Sequence, residues 1–118
     1  MPTPKLTLTV RKPSPHVAVI DITGEVTGYA ELPLMNAYDD ASHNGVRTII
    51  LNFSNLEYMN SSGIGLLVTL LIRVNRQKQR MFSYGLNDHY QQIFQLTRLN
   101  EAIGIYPDEA SALKEAGR

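Results

Sequence analysis

Val46-Arg47-Thr48-Ile49-Ile50-Leu51-Asn52-Phe53 followed by Ser54-Asn55-Leu56-Glu57-Tyr58-Met59 and Asn60-Ser61-Ser62-Gly63-Ile64-Gly65-Leu66-Leu67 is the stretch on which the fold turns. Its first part holds Ile49, Ile50 and Leu51 in an unbroken apolar run, the signature of a strand covered on both faces at the centre of a sheet. The strand is expected over Val46 to Phe53. Its last part opens a helix expected from Ser62 to Gln77. A buried strand feeding a helix through a short polar loop is one half of a parallel crossover unit.

Working outward, Leu6, Leu8 and Val10 alternate with Thr7, Thr9 and Arg11, the period of a strand with one buried face over Lys5 to Arg11. Pro13-Ser14-Pro15 supplies a turn, and Val17 to Ile22 forms a second strand closed by Gly24. In that strand Val17, Val19 and Asp21 share one face and Ala18, Ile20 and Ile22 the other. Tyr29 to Ser42 places Leu32, Leu34, Met35, Ala37, Tyr38 and Ala41 at helical spacing, with Pro33 tolerable in the first turn. His43-Asn44-Gly45 ends that helix.

Beyond the second helix, Arg80 to Tyr84 reads as a strand ended by Gly85. Asn87 or Asp88 can cap a third helix reaching Arg98, with Ile93, Phe94 and Leu96 or Thr97 turned inward. Ile103 to Tyr106 makes a short last strand, and Asp108 to Glu115 a last helix that can pack Ala110, Ala112 and Leu113. The order β-β-α-β-α-β-α-β-α predicts an α/β fold, a mixed and mainly parallel sheet with about four helices, in one domain over residues 1–118. In open sheets of this kind, loops at the carboxyl ends of strands carry function. Two such loops stand out: Gly24-Glu25-Val26-Thr27-Gly28 and Asn60 to Gly65.

The composition narrows the function classes. The chain has 118 residues, 43% of them hydrophobic and 19% charged, the profile of a folded globular protein. Lysine plus arginine number 11, as do aspartate plus glutamate, without a run of either sign, so neither nucleic acid nor an anionic membrane is an expected partner. Cysteine is absent, which excludes disulfides and thiolate chemistry and fits a reducing cytoplasm. Met1-Pro2-Thr3-Pro4-Lys5 does not read as a secretory leader, and the apolar run Ile64 to Ile72 falls short of the ~20 residues of a membrane span.

Catalytic constellations are not expected. His16, His43 and His89 lack metal-ligand spacing, no cofactor motif is present, and Ser61 and Ser62 lack the Gly-x-Ser-x-Gly elbow of a hydrolase. Gly63 and Gly65 each cost a helix roughly 1 kcal/mol relative to alanine, which suggests that close backbone access near the serines is needed. Projected at ~100° per residue, Ile64, Leu66, Leu67, Val68, Leu70, Leu71, Ile72 and Val74 span roughly 240°, an arc expected to be buried, with an exposed contact patch as the alternative. The remaining face carries Gly65, Thr69, Arg73 and Arg76 with Ser62 at its head, leaving Ser61 as a cap. Arg73, Arg76, Lys78 and Arg80 complement the helix dipole at the far end.

These residues together resemble the STAS domain family, in particular its free-standing anti-sigma factor antagonists. The likeness runs through Gly24-Glu25-Val26, Ile49-Ile50-Leu51-Asn52-Phe53, Asn60-Ser61-Ser62-Gly63-Ile64-Gly65-Leu66-Leu67, Gly85-Leu86 and Ile105-Tyr106. The resemblance implies partner switching. An anti-sigma factor that is itself a serine kinase is bound by the unmodified antagonist, phosphorylation at Ser62 (alternatively Ser61) releases it, and a Ser/Thr phosphatase restores it. It also implies a partner surface of Gly24, Glu25, Val26 and Thr27 with Asn60, Ser61, Ser62, Gly63, Gly65, Thr69 and Arg73. The family's usual aspartates are replaced here by Asn60 and Asn52. The alternatives are a scaffold that assembles with itself or other STAS proteins, and a small-ligand module.

Overall fold

Ile49, Ile50 and Leu51 have no exposed surface, and they divide between two cores: Ile49 and Leu51 pack to one side of the sheet, Ile50 to the other. A computed structural model describes residues 5–118. The leader reading of Met1 to Pro4 lies outside the described residues. The strands are β1 (Leu6–Ser14), β2 (Val17–Val26), β3 (Thr48–Met59), β4 (Arg80–Tyr84) and β5 (Gly104–Tyr106), and they line up in the order β1-β2-β3-β4-β5. The β1/β2 hairpin is antiparallel and every other pairing is parallel. The mixed, mainly parallel sheet expected from the alternation is therefore present.

Helices α1 (Glu31–Ala41), α2 (Ser61–Arg76) and α3 (Asp88–Leu96) cover the face that carries Ala18, Ile20, Ile49 and Leu51. Helix α4 (Glu109–Ala116) covers the opposite face, where Val17, Val19, Ile50, Phe82 and Tyr84 meet Ala112. Each helix begins where a side-chain oxygen meets the first free amides or shortly after a turn that does so. Asn60 caps α2, Asn87 caps α3 and Asp108 caps α4, while Thr27 caps the 3-10 turn Gly28–Ala30 that leads into α1.

Three strands run further than the sequence pattern indicates: β1 continues through Pro13 and Ser14, which leaves Pro15 and His16 as the turn, and β2 and β3 are longer at their carboxyl ends. Instead of closing β2, Gly24 lies within it at φ 105°, and β2 continues to Val26 alongside a β3 that continues to Met59. The register shifts between Asp21 and Thr23 and again between Gly24 and Glu25, which breaks the period-2 pattern that would reveal a strand. Gly24 is required there: a Cβ would sit 2.1 Å from the carbonyl oxygen of Lys5, which accepts from the Glu25 amide at 2.8 Å. The carboxyl end of the sheet is thus a two-stranded extension, since β4 pairs with β3 only from Thr48 to Asn52.

Leu96 is a second correction. It is 85% exposed, its alternative Thr97 is exposed as well, and the inward face of α3 is formed by Tyr90 and Phe94, with Ile93 partly buried beside them. Phe94 meets Phe53 edge-on at 6.3 Å between ring centroids. A residue two positions after Phe94 points away from it on a helix. In α4, likewise, Ala112 is buried whereas Ala110 is exposed.

Candidate functional site

The chain leaves the sheet at Met59 and enters α2 through Asn60, whose extended backbone (φ −97°, ψ −176°) and side chain make the cap. Asn60 Oδ1 accepts from the Gly63 amide at 2.9 Å, and the Asn60 carbonyl accepts from the Ile64 amide at 3.0 Å. The expectation that Ser61 caps the helix is thereby corrected. Asn60 fills that role, so both Ser61 and Ser62 are exposed in the first turn, and among the described residues neither hydroxyl is engaged by another side chain. The first turn of α2 has no acidic residue, so the positive end of the helix dipole is left uncompensated beside the two hydroxyls.

The two glycines of the loop have different causes. A Cβ on Gly63 would lie 2.1 Å from the carbonyl oxygen of Val26 and 2.8 Å from Met59 Cγ, so Gly63 is buried because α2 starts against the end of β2. Nothing lies within 4 Å of a Cβ on Gly65, which is exposed. The access reading therefore applies to Gly65 alone. Gly28 is Ser62's neighbour, its notional Cβ 3.7 Å from that of Ser62. The serine mouth and the turn after β2 consequently form one surface.

Of the residues the sequence groups into this surface, Gly24, Val26, Thr27 and Gly63 are buried and shape it from below, while Glu25 is half-buried. Thr27 Oγ1 accepts from the Tyr29 amide at 3.3 Å. Ser61, Ser62, Gly65 and Thr69 present themselves to solvent. Thr69 Oγ1 donates to the Gly65 carbonyl at 3.2 Å. Arg73 stands apart, roughly 16 Å along the helix axis from Ser62 at 1.5 Å per residue. It pairs with Asp39 at 2.7 Å and lies over the Tyr38 ring at 5.0 Å, tying α2 to α1.

The wide apolar arc of α2 is not wholly buried. Val68 is 40% and Ile72 47% exposed, on the side of the helix away from Arg73. Tyr29 and Leu32, in the turn before α1 and in its first turn, are also exposed. The neighbouring elements leave this strip uncovered, which periodicity cannot reveal because it reports only how wide an apolar face is.

Two polar arrangements escape a reading of the sequence. The buried Tyr90 hydroxyl accepts from the Met59 amide at 2.8 Å, bringing α3 to the base of the serine mouth. On the α4 face, Arg11 binds Asp21 (Nε to Oδ2, 2.6 Å) and Glu109, Tyr84 donates to Glu109 at 2.6 Å, and Asn52 Nδ2 donates to Asp21 at 2.7 Å. The Arg11 hydrogen bond, opposed by burial and reinforced by Asn52, holds Asp21 below the usual carboxylate range. Glu109 is lowered by Arg11 and then Tyr84, and burial with the Glu109 bond pushes the Tyr84 phenol up. An acid at residue 52 would face Asp21 at hydrogen-bond distance, which accounts for the amide there. Asn52 and Asn60 thus answer to separate surroundings. An aspartate in an otherwise apolar strand was the available signal for this network.

Among the described residues no group of three or more acidic, histidine or cysteine side chains could hold a metal, and no helix is long and apolar enough to cross a membrane. The site is a pair of exposed serine hydroxyls at a helix mouth beside an exposed turn.

A β-hairpin extended by three parallel strands, three helices on one face and one on the other, with a Ser-Ser-Gly helix mouth after the central strand, defines a STAS-like α/β fold. The model of the STAS domain matches residues 9–112, and the chain belongs to that family. Among curated proteins it is 27% identical, over 73% of its length and 80% of theirs, to the anti-sigma-B factor antagonist of Staphylococcus aureus. Its fold is similar to that of an anti-sigma factor antagonist from Mycobacterium paratuberculosis (TM-score 0.82, 18% identity, 97% of this chain and 96% of the other). It is also similar to the Bacillus cell fate determinant SpoIIAA in its phosphorylated form (TM-score 0.72, 23% identity, 92% and 98% coverage).

Proposed function

We propose that this chain is an anti-sigma factor antagonist that works by partner switching. It binds a serine-kinase anti-sigma factor through the mouth of α2 and the turn after β2, and phosphorylation of Ser62 ends the complex. A Ser/Thr phosphatase returns it to the binding state. The observation that carries this reading is the division of labour in the first turn of α2: Asn60 caps the helix, which leaves Ser62 exposed and its hydroxyl outside the cap. The names of the relatives support the same class of activity, and one structural neighbour is a phosphorylated protein.

The physical consequence of modification follows from position. A phosphate adds about −1.5 to −2 charges. Free amides and the macrodipole at the α2 N-terminus stabilise that charge within this chain. A partner seated against Gly28 and Gly65 meets it at close range in a desolvated contact, where an unpaired charge costs several kcal/mol. Incubation with the kinase and ATP followed by phosphosite mapping is expected to place phosphate on Ser62. Phosphate confined to other residues would contradict the assignment.

A scaffold reading is favoured by one observation, the exposure of Val68 and Ile72 on α2 and of Leu96 on α3. If these helix faces assemble copies of the chain, the elution volume in size-exclusion chromatography shifts with concentration, and Ile72→Lys restores a constant one. A concentration-independent monomer would exclude that reading.

A further inference from the structure

The geometry points to Tyr90 as the positioning residue that sets the direction of the serine mouth. β3 outruns β4 by several residues, because their pairing stops at Asn52 while β3 continues to Met59. On the side of β3 left without a strand, the Met59 amide needs an acceptor, and the Tyr90 hydroxyl supplies it at 2.8 Å. Both residues are buried, at 6% and 4% exposure, so water cannot substitute. The next amide, that of Asn60, turns the opposite way and donates to the Val26 carbonyl at 3.3 Å.

Two consecutive amides are thus pinned to opposite walls, one to α3 and one to β2, and the Met59 backbone between them is held against rotation. It leads directly into the Asn60 cap, and the cap fixes where Ser61 and Ser62 point. Tyr90 is itself oriented from below, its own amide donating to Asn87 Oδ1 at 2.9 Å at the start of α3. Tyr90 makes no hydrogen bond to either serine, and its hydroxyl is committed to Met59. It acts through the backbone.

Tyr38 provides the control, because its hydroxyl is also buried and bonded, donating to Gln79 Oε1 at 2.7 Å near the other end of α2. Tyr90→Phe and Tyr38→Phe each remove one hydroxyl and keep the ring. Amide hydrogen exchange on the free chain is the first readout. Tyr90→Phe is expected to speed exchange at Met59 and Asn60 about tenfold while leaving Ile50 and Leu51 unchanged, and Tyr38→Phe to leave Met59 and Asn60 within about twofold.

The second readout rests on the partner-switching reading: kcat/KM for phosphate transfer to Ser62 by the kinase, expected to fall about three- to tenfold in Tyr90→Phe and to stay within about twofold in Tyr38→Phe. Equal effects of the two substitutions, or faster exchange spread uniformly along β3, would overturn the role of Tyr90. A kinase that leaves the unsubstituted chain unmodified overturns the partner-switching reading instead, and the exchange measurement still decides on Tyr90.

Discussion

Gly63 and Gly65 stand two positions apart in one helical turn and answer to different constraints. In the sequence they look equivalent, as helix-weakening residues beside two serines. What separates them is the close approach of the Val26 carbonyl and Met59 Cγ to Gly63, and the nearer of these contacts joins residues far apart along the chain. Gly63→Ala is therefore expected to destabilise the fold by roughly 1–3 kcal/mol in urea unfolding, as overpacking against backbone does. Gly65→Ala meets open space and is expected to stabilise it by up to about 1 kcal/mol, through helix propensity, while weakening the partner complex. Equal losses of stability from the two substitutions would refute this division. Asn60 illustrates the same limit: its capping chemistry is legible in the sequence, but three neighbouring residues share it, and only the Gly63 amide shows which one caps.

At the scale of elements, the Arg11 network joins the first strand to the last helix across the sheet, Arg11 and Asp21 on neighbouring strands and Glu109 in the first turn of α4. Asp21 and Glu109 both have folded-state pKa values below their ordinary ones. Groups of that kind contribute stability that is fully present above their unfolded pKa values of about 4, and that is lost as pH falls through the lower folded values. The melting temperature is thus expected to be flat near neutrality and to fall below about pH 4. Glu109→Gln should lower stability at pH 7 by on the order of 1 kcal/mol, given the partial exposure of Arg11 and Glu109, and should flatten the acid limb. An acid limb identical to that of the unsubstituted chain would contradict a role for the network.

Helix positions were legible at this scale because caps and apolar spacing are local. The extensions of β2 and β3 were not. Ser54 to Tyr58 is mostly polar, with only Leu56 packed against the core, and sits opposite a strand interrupted by register shifts, so its strand character comes from pairing with Thr23 to Val26 and not from its own pattern. Tyr90 was hidden for a related reason. Its place on the inward face of α3 follows from helical spacing, but its bond to Met59 depends on where β4 stops.

For the whole molecule, strict alternation of strands and helices after an opening hairpin was enough to indicate a mixed, mainly parallel sheet, because parallel neighbours require crossovers, whereas the sequential order β1-β2-β3-β4-β5 is set by the fold and not by the alternation. What alternation does not determine is how completely the helices cover one another. The open strip of Val68 and Ile72 is a property of the assembled layer and of no single helix. The assembled layer also places the serine mouth and the turn after β2 side by side at the carboxyl end of the sheet, which makes one continuous surface out of two loops separated in sequence. The central claim is that modification of Ser62 changes what this surface binds without changing the fold. Titration calorimetry of the unmodified and Ser62-phosphorylated chains against the serine-kinase anti-sigma factor tests it most directly. The account predicts at least a roughly tenfold weaker complex for the phosphorylated chain, about 1.4 kcal/mol, with an unchanged circular dichroism spectrum; equal affinity of the two forms would contradict it.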